Sequence, residues 1–330
     1  MGSGLARLLC RLLVVSGCLL AAGTLSAADA PVIFVSVPPQ QYFVERIGGD
    51  QVDVSAMVQP GFSPHTYEPT PRQISALSRA AAYIRVGMPF EEAWMPRIVA
   101  VNPAMRVLDA REGIELLPLA EHEHEHSAGH PQHEEDEHGH DEHEEATTHP
   151  QHEEDGHDYS AENAYAEMAM DPHIWTSPRL VKQMAAQINE LLQQLLPEQA
   201  EVFADNYRQF VGELDALDAE LTDLFAGQSV RRFMVFHPSW GYLAAAYGLE
   251  QVPIESEGKE PGARALTALI RQARAEGIRT IFVQPQFDRR MAEQIARAID
   301  GQVASLDPLD PDYLHNLRRA ARLIAGVADE

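Results

Sequence analysis

The run Val32-Ile33-Phe34-Val35-Ser36-Val37 is short, apolar and rich in β-branched residues, and Pro38-Pro39 bounds it. These features predict a buried strand. Similar runs alternate with helical segments as far as Leu108, and the same alternation begins again at Arg232–Phe236. Such alternation indicates parallel sheets with right-handed crossovers. The sequence therefore predicts an α/β fold with two lobes, each a parallel sheet flanked by helices.

A long helical segment separates the two predicted sheets. Pro178 is suited to the first position of one helix, and Pro197 to the start of a second that keeps apolar spacings of three and four to Gly227. Thirty helical residues would span roughly 45 Å, more than one domain needs, so we interpret this helix as a rigid strut. The predicted organisation is a first lobe at 29–180, a helical linker at 181–226 and a second lobe at 227–330.

The N-terminus has the pattern of a secretory signal at 1–28. Arg7 and Arg11 precede an apolar run, and Ser26-Ala27-Ala28 supplies the small residues of a cleavage site. The apolar run, about 14 residues long, is shorter than a membrane-spanning helix requires. We therefore expect the protein to be exported.

Both cysteines of the chain, Cys10 and Cys18, lie inside the predicted signal. The exported protein would then have no thiolate ligands, and any metal site would use nitrogen and oxygen donors. Val15-Ser16-Gly17-Cys18 resembles a lipoprotein box, which is the alternative to soluble export. It leaves only about four apolar residues after Arg11, fewer than a signal normally has.

The most unusual segment runs from Glu121 to Asp158 and holds 11 histidines, 15 Asp or Glu residues and no Lys or Arg. It contains a duplication, since the sequence of His130–Asp136 returns as His149–Asp155. With no apolar periodicity it cannot bury enough surface to offset the entropy of ordering, so we expect a disordered insert in the first lobe. Imidazoles among carboxylates favour association with divalent metal ions. A solvated acidic linker is the plainer interpretation.

The formal net charge is −25, from 50 acidic and 25 basic residues, and 15 of the acidic residues belong to that insert. No basic patch is visible that could neutralise phosphates. We therefore expect no nucleic-acid partner.

Three histidines and one aspartate outside the signal and the insert fall where a ligand is expected to bind. His65 lies in the loop after a predicted strand, and His237 and Asp307 each directly follow one. His173 lies in the loop before the helix that starts at Pro178. In open α/β sheets, ligands bind in the crevice outside the carboxyl ends of the strands.

Three imidazoles and one carboxylate would complete a tetrahedral zinc shell with donor distances of about 2.0–2.2 Å. His65 and His173 would come from the first lobe, and His237 and Asp307 from the second, so a bound metal would link the lobes. Each residue alone has a plainer interpretation, a hydrogen-bonded loop or core histidine or, for Asp307, a helix N-cap. The hypothesis depends on the whole set.

Four segments resemble the metal-binding motifs of one family. They are Ser63-Pro64-His65-Thr66-Tyr67-Glu68-Pro69-Thr70-Pro71, Asp171-Pro172-His173-Ile174-Trp175, Phe236-His237-Pro238-Ser239-Trp240-Gly241-Tyr242 and Leu306-Asp307-Pro308-Leu309. In this order they are similar to the zinc/manganese solute-binding proteins of ABC importers, on the ZnuA-like zinc branch. The resemblance covers essentially the whole chain after the signal and includes a His-rich insert in the same place.

This resemblance implies two α/β lobes bridged by a rigid helix, with Zn(II) held between them as the transported ligand. It also implies a periplasmic location and delivery of the ion to a membrane permease, without catalysis; we expect a monomer. By motif position, His65, His173 and His237 correspond to metal ligands of the family. Asp307 corresponds to the fourth donor, for which some zinc members use water or another carboxylate instead. Histidine at position 237, where the manganese branch has glutamate, favours zinc.

One position departs from the family pattern. Members often have glutamate in the strand-end motif where this chain has Gln284, and the amide removes a negative charge near the cleft between the lobes. Since imidazole binds metal only when neutral, we also expect zinc affinity to fall as the pH drops through the range of about six to seven.

Two other functions compete with zinc capture between the lobes. The first is a metal buffer or chaperone that acts through the His-rich insert, which leaves the two folded lobes unexplained. The second is a zinc hydrolase, because His122-Glu123-His124-Glu125-His126 matches the H-E-x-x-H pattern. That pattern requires a stable helix, and the low-complexity context of the insert does not favour one.

Overall fold

The computed structural model describes residues 30–119, 170–228, 231–255 and 258–327. The predicted signal at 1–28 and the His-rich segment at 121–158 lie outside these ranges. None of the helices in the described ranges is both long enough and apolar enough to span a bilayer.

The first lobe is built on a parallel four-stranded sheet in the order β2-β1-β3-β4. Its elements are β1 Val32–Val35, α1 Pro38–Gly48, β2 Asp53–Ala56, α2 Pro71–Leu77, β3 Ala80–Arg85, α3 Pro89–Val101 and β4 Arg106–Asp109. All three helices begin at a proline, which lacks the amide hydrogen that a first helical turn leaves unbonded. Pro38-Pro39 therefore opens α1 directly after the first strand.

The second lobe repeats this arrangement in a parallel sheet of order β6-β5-β7-β8. Its elements are β5 Arg232–Val235, α6 Gly241–Ala246, β6 Glu250–Pro253, α7 Ala263–Ala275, β7 Thr280–Val283, α8 Arg290–Ala298, β8 Gln302–Ser305 and α9 Tyr313–Ile324. In each sheet the direction of winding changes beside the first strand, which opens a crevice at the carboxyl ends. The predicted α/β fold with two parallel sheets is confirmed.

Two helices join the sheets, α4 at Pro178–Leu195 and α5 at Ala200–Ala226. The predicted helix from Pro197 starts three residues later, because Pro197–Gln199 forms a 3-10 turn. α5 is still 27 residues long, and it packs against α4, α1 and α9. This is the predicted long helix between the lobes.

One apolar core extends through α5 into both lobes. Phe43 of the first lobe and Tyr313 of the second meet edge to face at 4.7 Å between ring centroids, and Phe210 of α5 lies 5.9 Å from Phe43. Such aromatic pairs each add about 0.5–1.5 kcal/mol beyond their buried area. The lobes are therefore held together by packing as well as by the chain. The boundaries at 180 and 226 stay predictions, since this core crosses both.

Candidate metal centre

Three imidazoles converge in the cleft between the two sheets. The Nε2 atom of His65 lies 3.3 Å from Nε2 of His173 and 2.9 Å from Nε2 of His237. One ligand atom from each residue lies within 4.8 Å of the other two, and within the described ranges this is the one group of three or more such side chains. The structure therefore brings together the three histidines that the strand-end positions predicted.

His65 is held by the loop between β2 and α2. Gln73 anchors that loop, since its Nε2 donates to the carbonyl of Met57 at 2.6 Å and its Oε1 accepts from the hydroxyl of Tyr67 at 3.0 Å. Thr70 caps α2 by accepting from the amide of Gln73 at 3.3 Å. The loop is thus tied at both ends and presents the half-buried His65 to the cleft.

His173 is buried, with 2% of its surface exposed, and is oriented by Asp171. Its Nδ1 donates to Asp171 Oδ1 at 2.6 Å, and its backbone amide donates to the same oxygen at 2.9 Å. A carboxylate can only accept, so the proton is on Nδ1 and the Nε2 lone pair faces the cleft. Carboxylate partners of this kind fix the ring and raise its basicity as a metal ligand.

His237 follows β5 and is oriented in the same way by a different carboxylate. Its Nδ1 donates to Glu255, which is 4% exposed and lies just after β6. Its ring stacks on Phe287, with 5.2 Å between centroids and 20° between planes. The second lobe therefore also supplies an Nε2 lone pair with a fixed direction.

The environment of the cleft favours the neutral form of His65 and His237. Burial lowers the pKa of His65 well below its ordinary value of 6.5, and the neighbouring His237 and His173 lower that pKa further. Burial also lowers the pKa of His237, outweighing the opposite effect of the hydrogen bond to Glu255. Neutral imidazole is the form that binds metal ions.

The spacing of the three Nε2 atoms fits a small tetrahedral cation. Zinc–nitrogen bonds of about 2.0–2.1 Å in a tetrahedral shell separate the nitrogens by about 3.3 Å. The separations of His65 Nε2 from the other two Nε2 atoms, 3.3 and 2.9 Å, lie at and just below this value. Three imidazoles with converging lone pairs suit zinc among the common divalent ions.

Asp307, the predicted fourth ligand, does not join the three-histidine group among the described residues. Its Oδ1 accepts from the amide of Leu309 at 2.9 Å and from Nε2 of Gln286 at 3.1 Å. These bonds hold the carboxylate in a turn, and burial raises the pKa of Asp307. Sequence position alone could not show that this oxygen already accepts hydrogen bonds within a turn.

Asp171 and Glu255 are functional residues that the sequence reasoning missed. Glu255 lies two residues beyond β6, so the strand-end rule that found His237 could have found it. Asp171 lies two residues before His173, and its role depends on a local turn that spacing does not reveal. Both are charged yet buried, which is typical of a carboxylate with a fixed partner.

Gly241, at the start of α6, makes room for Asp171. A Cβ atom at this position would lie 2.6 Å from Asp171 Oδ2 and 3.0 Å from Nε2 of Gln251. Neither group can move without changing the bonds it makes, because Asp171 orients His173 and Gln251 accepts from the amide of Trp240. The glycine is therefore required by a close approach and not by its backbone angles.

Three hydrogen bonds join the lobes beside the site. The Tyr242 hydroxyl donates to the carbonyl of Asp171 at 2.8 Å and accepts from the amide of Leu117 at 3.0 Å. Trp175 Nε1 donates to the carbonyl of Pro308 at 2.8 Å. The segment that carries His173 is thus fastened to the second lobe on both sides.

A small cavity adjoins the imidazoles and has a volume of about 10 Å³. Besides the three histidines, its lining includes Gln284 and Phe287. A single water needs about 10–15 Å³, so the cavity is of one-water size.

Comparison with known proteins agrees with this geometry. The family model of ZnuA, described as zinc-uptake complex component A, periplasmic, matches residues 33–327. Zinc-binding protein AdcA of Streptococcus pyogenes is 27% identical over 276 residues, which is 82% of this chain and 49% of AdcA. High-affinity zinc uptake system protein ZnuA of Bacillus subtilis is 27% identical over 290 residues, covering 86% of this chain and 80% of that protein. The chain thus spans about half the length of its AdcA relatives.

A crystal structure of ZnuA has the same fold. It superposes with a TM-score of 0.74 at 37% sequence identity, over 91% of this chain and 99% of the other. With the match to residues 33–327, this shows that the chain belongs to the ZnuA family.

Proposed function

We propose that this protein captures Zn(II) between its two lobes and delivers it to the permease of an ABC importer. The observation that supports the proposal is the convergence of three Nε2 atoms from both lobes on one point. The name of the Bacillus subtilis relative, a high-affinity zinc uptake system protein, points the same way.

The proposed ligands are His65, His173 and His237, each through Nε2. A fourth donor completes the tetrahedron, either water in the adjoining cavity or Asp307 after release from its turn. Asp171 and Glu255 each lie one hydrogen bond from a ligand imidazole, on the side of the ring opposite the ion, and supply negative charge there. With water as the fourth donor, this arrangement places no carboxylate on the metal.

Capture and release, and not catalysis, is the role that we propose for the site. We further propose a periplasmic monomer, exported by the signal at 1–28, with the two lobes at 29–180 and 227–330 and the linker at 181–226. Because the apolar core and three hydrogen bonds already join the lobes, zinc binding requires only limited movement between them.

We propose an accessory role for the His-rich segment at 121–158, as a weaker collector of metal. The described chain on either side of it is paired, since Pro118 bridges Met170 and the amide of Asp171 donates to the carbonyl of Leu117 at 2.8 Å. The described residues before and after the insert are therefore close to His173, which supports a role for the insert near the cleft.

A competitive zinc titration of the full chain and of a chain lacking 121–158 tests this assignment. We expect one tight site in both proteins and loss of only weaker sites in the shorter one. If all zinc binding disappeared with 121–158, the protein would be a metal buffer that acts through its insert. Uptake of labelled zinc by cells that carry the cognate permease would test delivery.

A further inference from the structure

Gln284 lies directly after β7 at the carboxyl end of the second sheet, and 3% of its surface is exposed. It lines the same small cavity as His65, His173 and His237. A buried amide beside a cluster of metal-ligating side chains requires a full account of its hydrogen bonds.

The orientation of this amide is fixed by its donor side. Gln284 Nε2 donates to the carbonyl of His237 at 3.0 Å and to the hydroxyl oxygen of Ser239 at 2.7 Å. A carbonyl oxygen can only accept, so the nitrogen must face His237, and the amide cannot be turned over.

The other end of the amide has no partner. Gln284 Oε1 is buried and makes no hydrogen bond within the described ranges. Leaving a buried acceptor unpaired is unfavourable, and a cavity of one-water size lies against the same residue. A water in that cavity would lie among Gln284 and the three histidines, where a hydrogen-bond donor for this oxygen is required.

We propose that Gln284 is a specificity-determining residue, whose Oε1 accepts a hydrogen bond from the water that completes the zinc shell. This inference rests on the proposed function, since it assigns the fourth position of the same site. The amide orients the water without adding negative charge, and the donor set stays neutral. Manganese prefers carboxylate and other oxygen donors, whereas imidazole suits zinc, so the uncharged acceptor keeps selectivity for zinc.

The first test removes the acceptor with Gln284→Met, which keeps the length of the side chain. We expect zinc to dissociate about tenfold faster, because one hydrogen bond to a metal-polarised water is lost. The absorption spectrum of the Co(II)-substituted protein should also change, since that spectrum reports the geometry of the metal shell. The control is Gln302→Met, the same exchange at an exposed glutamine of β8, and both readouts should match the unchanged protein.

The second test is the near-isosteric Gln284→Glu, which keeps an acceptor beside the cavity, adds a charge and replaces the Nε2 donor to the carbonyl of His237 with an oxygen. We expect zinc to dissociate more slowly than from Gln284→Met, and manganese affinity to rise at least tenfold. Thermal unfolding of the metal-free variants reports whether each one folds.

The inference is overturned if folded Gln284→Met and Gln284→Glu both keep the original zinc dissociation rate, cobalt spectrum and manganese affinity. Equal effects of Gln302→Met and Gln284→Met would also overturn it, because the change would then not depend on the position of Gln284 beside the site. Failure of the proposed function would look different. The protein with Gln284 unchanged would then show no tight zinc site once residues 121–158 were removed.

Discussion

A single oxygen, Oδ1 of Asp171, accepts hydrogen bonds from both Nδ1 and the backbone amide of His173, at 2.6 and 2.9 Å. These two bonds fix the ring and its tautomer before any metal arrives. Preorganisation of this kind lowers the entropy that binding would otherwise cost. The carboxylate therefore contributes to affinity without contacting the ion.

Asp171→Ala should weaken zinc binding by about 10- to 100-fold, the usual range for loss of a carboxylate that orients a metal-binding histidine. A chelator competition assay on the protein without 121–158 measures the effect. The matched control is Asp215→Ala. Asp215 is an exposed residue of α5 that pairs with Lys182, and its removal should leave zinc affinity unchanged. Equal zinc affinity of Asp171→Ala and the parent protein would contradict the assigned role.

Gly241→Ala should weaken zinc binding and lower the melting temperature, because the new Cβ displaces Asp171. Gly212→Ala is the opposite case, since a Cβ there, inside α5, meets nothing within 4 Å. That exchange should stabilise the protein by about 0.5–1 kcal/mol and leave zinc affinity as it was. Thermal unfolding and zinc titration of both variants test these expectations. A Gly241→Ala variant with unchanged melting temperature and zinc affinity would refute the close approach.

Trp175→Phe should destabilise the metal-free protein by about 1–3 kcal/mol, since the carbonyl of Pro308 loses its donor in a buried position. Urea unfolding measures the free energy. The control is Trp94→Phe, at a half-buried tryptophan on α3 that packs under Arg97. This exchange should lower the free energy of unfolding by less. A smaller loss at Trp175 than at Trp94 would show that this bond does not help to hold the lobes together.

Zinc affinity should stay nearly constant from pH 8 to about 6.5 and fall only at lower pH. The sign follows from the lowered pKa values of His65 and His237: each ring stays unprotonated until the pH drops below its own depressed pKa, so protons compete with zinc only there. The sequence alone predicted a fall through the range of six to seven. Zinc titration of the protein without residues 121–158 at several pH values distinguishes the expectation from the sequence from the expectation from the structure. A loss of about threefold in zinc affinity between pH 7 and pH 6.5, which three imidazoles with the ordinary pKa of about 6.5 would give, would contradict the structural expectation.

Much of the fold was predictable because strand runs and helix starts are local signals. Val32–Val35 and Arg232–Val235 are compact apolar runs, and both became the first strands of parallel sheets. The start of α5 was missed by three residues, since a proline such as Pro197 is compatible with either a 3-10 turn or an α-helix.

The site was only partly predictable. His65 and His237 were predicted to converge because loops at strand ends meet in the crevice of an α/β sheet, and His173 was added from the loop before α4; the structure brings the three together. Asp307 satisfied the same rule, yet its oxygen is engaged in a turn with Leu309, a contact that depends on backbone angles. Glu255 and Asp171 act through the histidines that they orient, so their part in the site can be recognised only from the hydrogen-bond distances in the structure.

The most direct test of the account is the zinc dissociation constant of the double variant His173→Ala with His237→Ala, measured by chelator competition. The control is His315→Ala, which removes an exposed histidine on α9. We expect the tight site to disappear from the double variant, leaving only weak binding by 121–158, and to persist unchanged in His315→Ala. Tight zinc binding that survives in a folded double variant would contradict capture between the lobes.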